Sequence, residues 1–207
     1  MPLTQPYSPH TPSTMRTSRG EVRLPERMAV AEFEQLEWLP EDHWELIEGV
    51  PCMTPSGTPE HQRISLVLAA FLMEELESSG YLVLQDCDIR FPSEESYLRP
   101  DIAVFNGESL PADGVVPKTQ LPTLVVELLS PSTAPNDLGP KLSVYDRAGV
   151  TEYWIVDPRT GGLMLHARPD QGMFKQVSAD ANGKVFSALL NRGIRIIRDG
   201  LAFRIAD

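Results

Sequence analysis

The stretch LVVELLSPS, Leu124–Ser132, decides how the rest of the chain is read. Its first six residues are aliphatic apart from Glu127, and Ser130-Pro131-Ser132 stops the run. An aliphatic run that ends at a proline reads as a strand buried on both faces, in the interior of a sheet. A carboxylate inside such a strand is costly unless a cation pairs with it or it takes up a proton. Glu127 therefore needs a partner.

Upstream of this strand, YLVLQDCDIRF (81–91) and YLRPDIAVF (97–105) each read as one strand, followed by a polar, Pro- and Gly-rich loop from Asn106 to Pro122. Downstream, a helix is expected from about Asp137 to Ala148, ending at Gly149. EYWIVDP and GLMLHAR then read as two strands joined through 157–162, and the C-terminal part carries short strand-like segments. Further towards the N-terminus, Thr58-Pro59-Glu60 is a helix start, with an N-cap, a proline at the first helical position and an acid in the first turn. That helix runs through ISLVLAAFLMEEL to about Ser79-Gly80. WELIEGVPCMT reads as a hairpin bent at Glu48-Gly49, and MAVAEFEQLEWL has helical spacing at Ala29, Phe33 and Leu36. Residues 1–27 are rich in Pro, Ser and Thr without apolar periodicity, so a disordered or loosely attached tail is expected before one domain over 28–207. This order implies a mixed sheet with helices against it, an α/β or α+β domain.

Composition sets bounds on function. A chain of 207 residues fits one core. Cys52 and Cys87 lack zinc spacing and are expected as free thiols in a reducing, cytoplasmic setting. The apolar run Leu66–Met73 is too short to span a bilayer, and no apolar N-terminal segment suggests export. A formal charge of -11 argues against nonspecific coating of nucleic acid, yet allows an enzyme that holds cations among carboxylates.

The strand before Glu127 opens at Pro100-Asp101, and consecutive strands tend to be neighbours. Asp101 and Glu127 at one edge would make a hard-oxygen site suited to magnesium or manganese. The plainer alternative for Asp101 is an acid capping a turn. Glu45, in WELIEG, is another carboxylate in an apolar strand, with the solvated face of an edge hairpin as its alternative. Lys141 stands in the first turn of its helix, unfavourably placed for the macrodipole and ordinarily a surface lysine. From there it can also lie over the end of the Glu127 strand. His61, in the first turn of the long helix, can face the same site or donate to a carbonyl. Tyr145, one turn beyond Lys141, is expected to pack.

Taken together, WELIEG, PEHQRI, RPDIAVF, LVVELLSPST and DLGPKLSVYDRAGVTEYWIVDP resemble the Uma-two family, designated "putative restriction endonucleases", within the PD-(D/E)XK nuclease superfamily. The match covers about Met28 to Arg168. The resemblance implies a restriction-endonuclease-like mixed β-sheet core flanked by helices. It also implies a divalent metal, Mg²⁺ or Mn²⁺, held by Asp101 and Glu127, with Glu45 matching a further acid from the N-terminal region. The superfamily's usual lysine position, two residues after the second acid, is Leu129 here; the Uma-like pattern places the lysine on the following helix, at Lys141. The implied activity is metal-dependent hydrolysis of DNA phosphodiesters, with a homodimer suited by geometry to cutting both strands. The alternatives are a non-cleaving interaction module that keeps the fold, and a glycosidase working with an Asp/Glu pair. The latter has no use for the lysine, and its aromatic platforms are poorly served by a chain that is 7% aromatic.

Overall fold

The computed structural model describes residues 14–17, 20–37, 43–54, 57–111, 115–169, 172–200 and 202–206. Part of the expected tail, residues 1–13, lies outside them. Thr14–Thr17 (β1) and Gly20–Arg23 (β2) pair as an antiparallel hairpin, and Leu24 is buried in a cluster with Val30 and Phe33.

The Glu127 strand, β9 (Leu124–Leu128), is interior and buried along its length, as its composition predicts. It runs parallel to β10 (Glu152–Asp157) and antiparallel to β8 (Ile102–Asn106). The sheet continues outward through β11 (Gly162–Ala167) to β12 (Lys175–Gln176) on one side, and to β5 (Tyr81–Gln85) on the other.

Successive side chains of a strand point to opposite faces, and the two faces of this sheet carry separate cores. Leu124, Val126 and Leu128 join Ile102, Val104, Trp154 and Val156 against helix α2 (Pro59–Leu76), which contributes Ile64, Leu68, Leu72 and Leu76. A three-stranded C-terminal sheet, β13 (Val185–Ser187), β14 (Arg192–Asp199) and β15 (Ala202–Ala206), adds Val185, Ile194, Ile196 and Phe203 to the same core. Val125, Ala103, Phe105, Tyr153 and Ile155 face the other way, towards α4 (Pro140–Ala148) and a four-stranded sheet. That sheet has the order β4 (Val50–Thr54), β3 (His43–Ile47), β7 (Ser96–Leu98), β6 (Ile89–Phe91). Glu127 shares the parity of Val125 and so falls on this second side.

Local signals explain most element boundaries. The Thr58 side chain caps α2 by accepting from His61 N at 3.2 Å, and Pro59 follows at the first helical position. The β3–β4 bend places Glu48 and Gly49 at φ 50° and 80°, the left-handed pair that a two-residue hairpin turn requires. Gly107 permits a close crossing, since a Cβ there would stand 2.3 Å from Gly80 O.

Three expectations are corrected. The helix expected from Met28 is a single turn, α1 (Val30–Phe33), after which Gln35 N and Leu36 N bond three residues back and tighten the chain. The helix expected over 137–148 is two pieces, α3 (Ala134–Asp137) and α4, interrupted before Pro140, which has no N–H to continue the ladder. The segments 81–91 and 97–105 are not single strands. Each breaks in two, the first passing from the main sheet to the four-stranded one at Asp86–Asp88 and the second passing back at Arg99–Asp101. Asp86 enters the left-handed region at φ 49°, and Pro100 cannot donate to a ladder.

Candidate active site

Three strands and two helix ends deliver the polar groups. The β8–β9 register pairs Ile102 with Val126, so one further step sets Asp101 opposite Glu127. On β3, Trp44 and Leu46 join the cluster under α1 while Ile47 faces the main sheet, and Glu45 shares the parity of Ile47. Asp137 at the end of α3 and Lys141 at the start of α4 face each other across the break between the two helices.

Lys141 is at the centre. Its Nζ lies 2.9 Å from Glu45 Oε1, 3.0 Å from Glu127 Oε1 and 3.4 Å from Asp137 Oδ1. The four residues are 2%, 3%, 4% and 1% exposed in the order Lys141, Glu45, Glu127, Asp137. The surface-lysine alternative for Lys141 and the solvated-face alternative for Glu45 do not hold. Tyr145 does pack, edge-on to Phe91 with ring centroids 5.6 Å apart, but its hydroxyl also donates to Glu127 Oε1 at 2.9 Å. Glu45 Oε2 accepts from Thr54 Oγ1 at 3.1 Å, and Glu45 Oε1 accepts from Arg99 N at 2.9 Å.

Asp101 sits beside this cluster with both oxygens engaged. Leu128 N donates to Oδ2 at 2.7 Å, and His61 Nε2 stands 3.1 Å from Oδ1. His61 therefore faces the site, locking the start of α2 to the sheet. Beyond it, Arg99 bridges Asp88 Oδ1 at 2.7 Å and His43 Nδ1 at 2.9 Å, and Asp88 also accepts from Tyr97 and Lys118.

The electrostatics follow from burial and crowding. Burial, reinforced by Asp137, Asp101 and Glu45, holds the Glu127 carboxyl well above its ordinary range, with Lys141 pulling the other way. Burial likewise pushes Asp137 up to about 6 against the same pull. Burial alone would lower the Lys141 ammonium, but Glu127, Glu45 and Asp137 outweigh it and hold its pKa well above the usual value. For His61 the Asp101 carboxylate outweighs burial and raises the pKa. Cys52 and Cys87 are free thiols, each pushed up to about 11, chiefly by burial.

Glu127, Asp101, Glu45 and Lys141 all line a cleft of about 1060 Å³, whose walls include His61, Arg99, Arg159 and Arg198. Among the described residues, no three His, Cys, Asp or Glu side chains are already arranged to grip one ion. The carboxylates surround an ammonium instead. Their chemistry nevertheless suits a hard cation: buried carboxylate oxygens outnumber the positive charge, and Asp137 Oδ1 is buried without a hydrogen bond among the described residues. Asp137 is the residue that sequence reasoning missed. In the sequence it only marks the approximate start of the expected helix, and its four-residue spacing from Lys141 is the signal that points to the pairing.

The fold is nuclease-like in class. The structure superposes with a TM-score of 0.65 on the crystal structure of "a putative nuclease belonging to DUF820" from Anabaena variabilis, at 17% identity, covering 79% of this chain and 91% of that one. The chain belongs to the Uma2 family, described as "Putative restriction endonuclease", whose model matches residues 30–197. An uncharacterized protein of Synechocystis is 26% identical over 184 residues, 86% of this chain and 94% of that protein. The family match extends past the span expected from the motifs, through β13 and most of β14. Among the described residues no helix is long and apolar enough to cross a membrane.

Proposed function

We propose that this chain is a Mg²⁺- or Mn²⁺-dependent endonuclease that hydrolyses DNA phosphodiester bonds. The observation that carries the reading is the convergence of Glu45, Glu127 and Lys141 within 3.0 Å contacts in the floor of the cleft, beside Asp101. Asp101, Glu127 and Glu45 would hold the cation, and Lys141, Asp101 and Glu127 are the residues assigned to catalysis, with Glu45 in support. Bound there, a divalent ion would supply Lewis acidity and the means to acidify water at neutral pH.

The chain's own groups have definable tasks. Lys141 Nζ carries a fixed positive charge that can meet a phosphate oxygen as negative charge builds on it. Tyr145 and Lys141 fix the orientation of the Glu127 carboxylate, while Leu128 N and His61 fix that of Asp101. Arg159 and Arg198 on the cleft wall offer contacts to the backbone of a nucleic-acid strand. Cutting both strands of a duplex calls for two such sites, which a homodimer would provide. A cytoplasmic location fits the free thiols.

One observation favours a second reading, a non-cleaving module that keeps the nuclease fold. Lys141 already pairs with Glu45 and Glu127, and Leu129 stands at the superfamily's usual lysine position. Titration with Mn²⁺ or Mg²⁺, followed by incubation with supercoiled plasmid, separates the two. Nicked or linear DNA that depends on the metal is the expected result. Intact plasmid at saturating metal would favour the module.

A further inference from the structure

Asp137 is the carboxylate of the cluster to which the family resemblance gives no role. Its Oδ1 is buried, accepts no hydrogen bond among the described residues, and faces Lys141 Nζ at 3.4 Å. The same ammonium is held more closely by Glu45 Oε1 at 2.9 Å and Glu127 Oε1 at 3.0 Å. Those two oxygens belong to proposed metal ligands, so two members of the donor set are occupied by a cation that is already part of the chain. A doubly charged ion entering beside them repels the ammonium and competes for the same carboxylates. The ammonium is buried and cannot be left without a counter-charge.

We propose that Lys141 is a displaceable internal counter-ion, and that Asp137 is the positioning residue that takes its ammonium when a divalent cation enters. This rests on the metal reading given under Proposed function. The geometry makes the exchange small. Asp137 and Lys141 stand four residues apart across the break between α3 and α4, with Nζ already 3.4 Å from Oδ1, so rotation about the lysine's terminal bonds can turn that contact into a direct hydrogen bond without moving the sheet. In the metal-free site the lysine satisfies Glu45 and Glu127. In the loaded site it would stand beside the cation, anchored by Asp137 and free to point a donor at the substrate.

The test is Mn²⁺ binding by isothermal calorimetry at pH 8, on the parent, Asp137→Asn, Lys141→Met and the double variant. Lys141→Met should bind Mn²⁺ at least about 10-fold more tightly, because no ammonium competes for the carboxylates. Asp137→Asn should bind on the order of 10²-fold more weakly, because loading then leaves a buried ammonium without a partner. In the Lys141→Met background the Asp137→Asn penalty should shrink to a few-fold, since there is no ammonium left to seat. An equal penalty in both backgrounds would make Asp137 a ligand or a distant charge and overturn the proposal while leaving the metal reading intact. A parent that binds no Mn²⁺ overturns the metal reading and this inference together. Should Lys141→Met not fold, ¹⁵N and ¹³C NMR of the parent still decides. Saturating Mg²⁺ should shift the Lys141 ammonium and Asp137 carboxyl resonances together, and resonances that stay in place would count against the exchange.

Discussion

Lys141 and Glu127 form a buried ion pair at 3.0 Å across the gap between α4 and the central strand β9, and Tyr145 shares the same carboxylate oxygen at 2.9 Å. The carboxylate that the sequence of β9 left without a partner is thus satisfied within the chain. The proposed metal binding would have to work against that pair, whereas the proposed phosphate chemistry would draw on its positive member.

If Lys141 stabilises charge on the reacting phosphate, Lys141→Met should cleave plasmid more slowly by a factor of about 10²–10³ at saturating metal. Lys175→Met, on the exposed edge strand β12, is the matched control for lost charge. Equal rates for the two variants, measured by gel quantitation of nicked product, would remove Lys141 from the chemistry.

Asp101→Asn keeps an oxygen for the Leu128 N–H, so the fold should survive. Its metal-dependent cleavage should fall to background, with circular dichroism and the urea midpoint close to the parent's, within roughly 1 kcal/mol. Parental cleavage by this variant would place the metal elsewhere.

Glu127→Gln retains a carbonyl for Tyr145 and Lys141 but removes the charge that would hold a cation. Mg²⁺ at 100 times its dissociation constant should stabilise the parent by about 2.7 kcal/mol, and that gain should shrink or vanish in the variant. Four melting curves, parent and variant with chelator and with metal, measure it. Equal gains in both would sink the ligand assignment of Glu127.

Asp137 links the cluster to pH. Burial lifts its carboxyl from 3.8 to about 6, so between those values the folded chain holds a proton that the unfolded chain has released. The stability it contributes is therefore present at low pH and is lost as pH rises from about 4 through 6. In chelator the parent should lose up to about 3 kcal/mol from this source across that window, and Asp137→Asn should show a flatter profile. Urea unfolding at pH 4.5 and 7.5 gives the difference. A steeper profile in the variant would mean that Asp137 is stabilising as an anion.

The sequence made the hairpin at Glu48-Gly49, the capped start of α2 and the interior position of β9 readable because each rests on local signals: turn residues, a cap, an unbroken apolar run. It brought Asp101, Glu127 and Glu45 forward for the same reason, as acids set in apolar strands. The split of 81–91 and 97–105 between two sheets was not readable, since their apolar pattern resumes across Asp86–Asp88 and Arg99–Asp101 without a strong breaker in the first. The burial of Lys141 was hidden as well. Nothing in PKLSVYDRA discloses that β3, β9 and α3 bring three carboxylates to one ammonium, because that is a property of tertiary contact.

The C-terminal sheet sets a lower limit on how far the chain can be shortened. Every candidate metal-binding or catalytic residue precedes Arg168, yet Val185, Ile194, Ile196 and Phe203 cover the core on the α2 side. A version ending after β11 would keep all the carboxylates and the lysine, but it would open an oily flank beside the cleft. Such a fragment would be expected to collect in insoluble aggregates during expression, and its silence in a cleavage assay would report lost solubility and not lost chemistry.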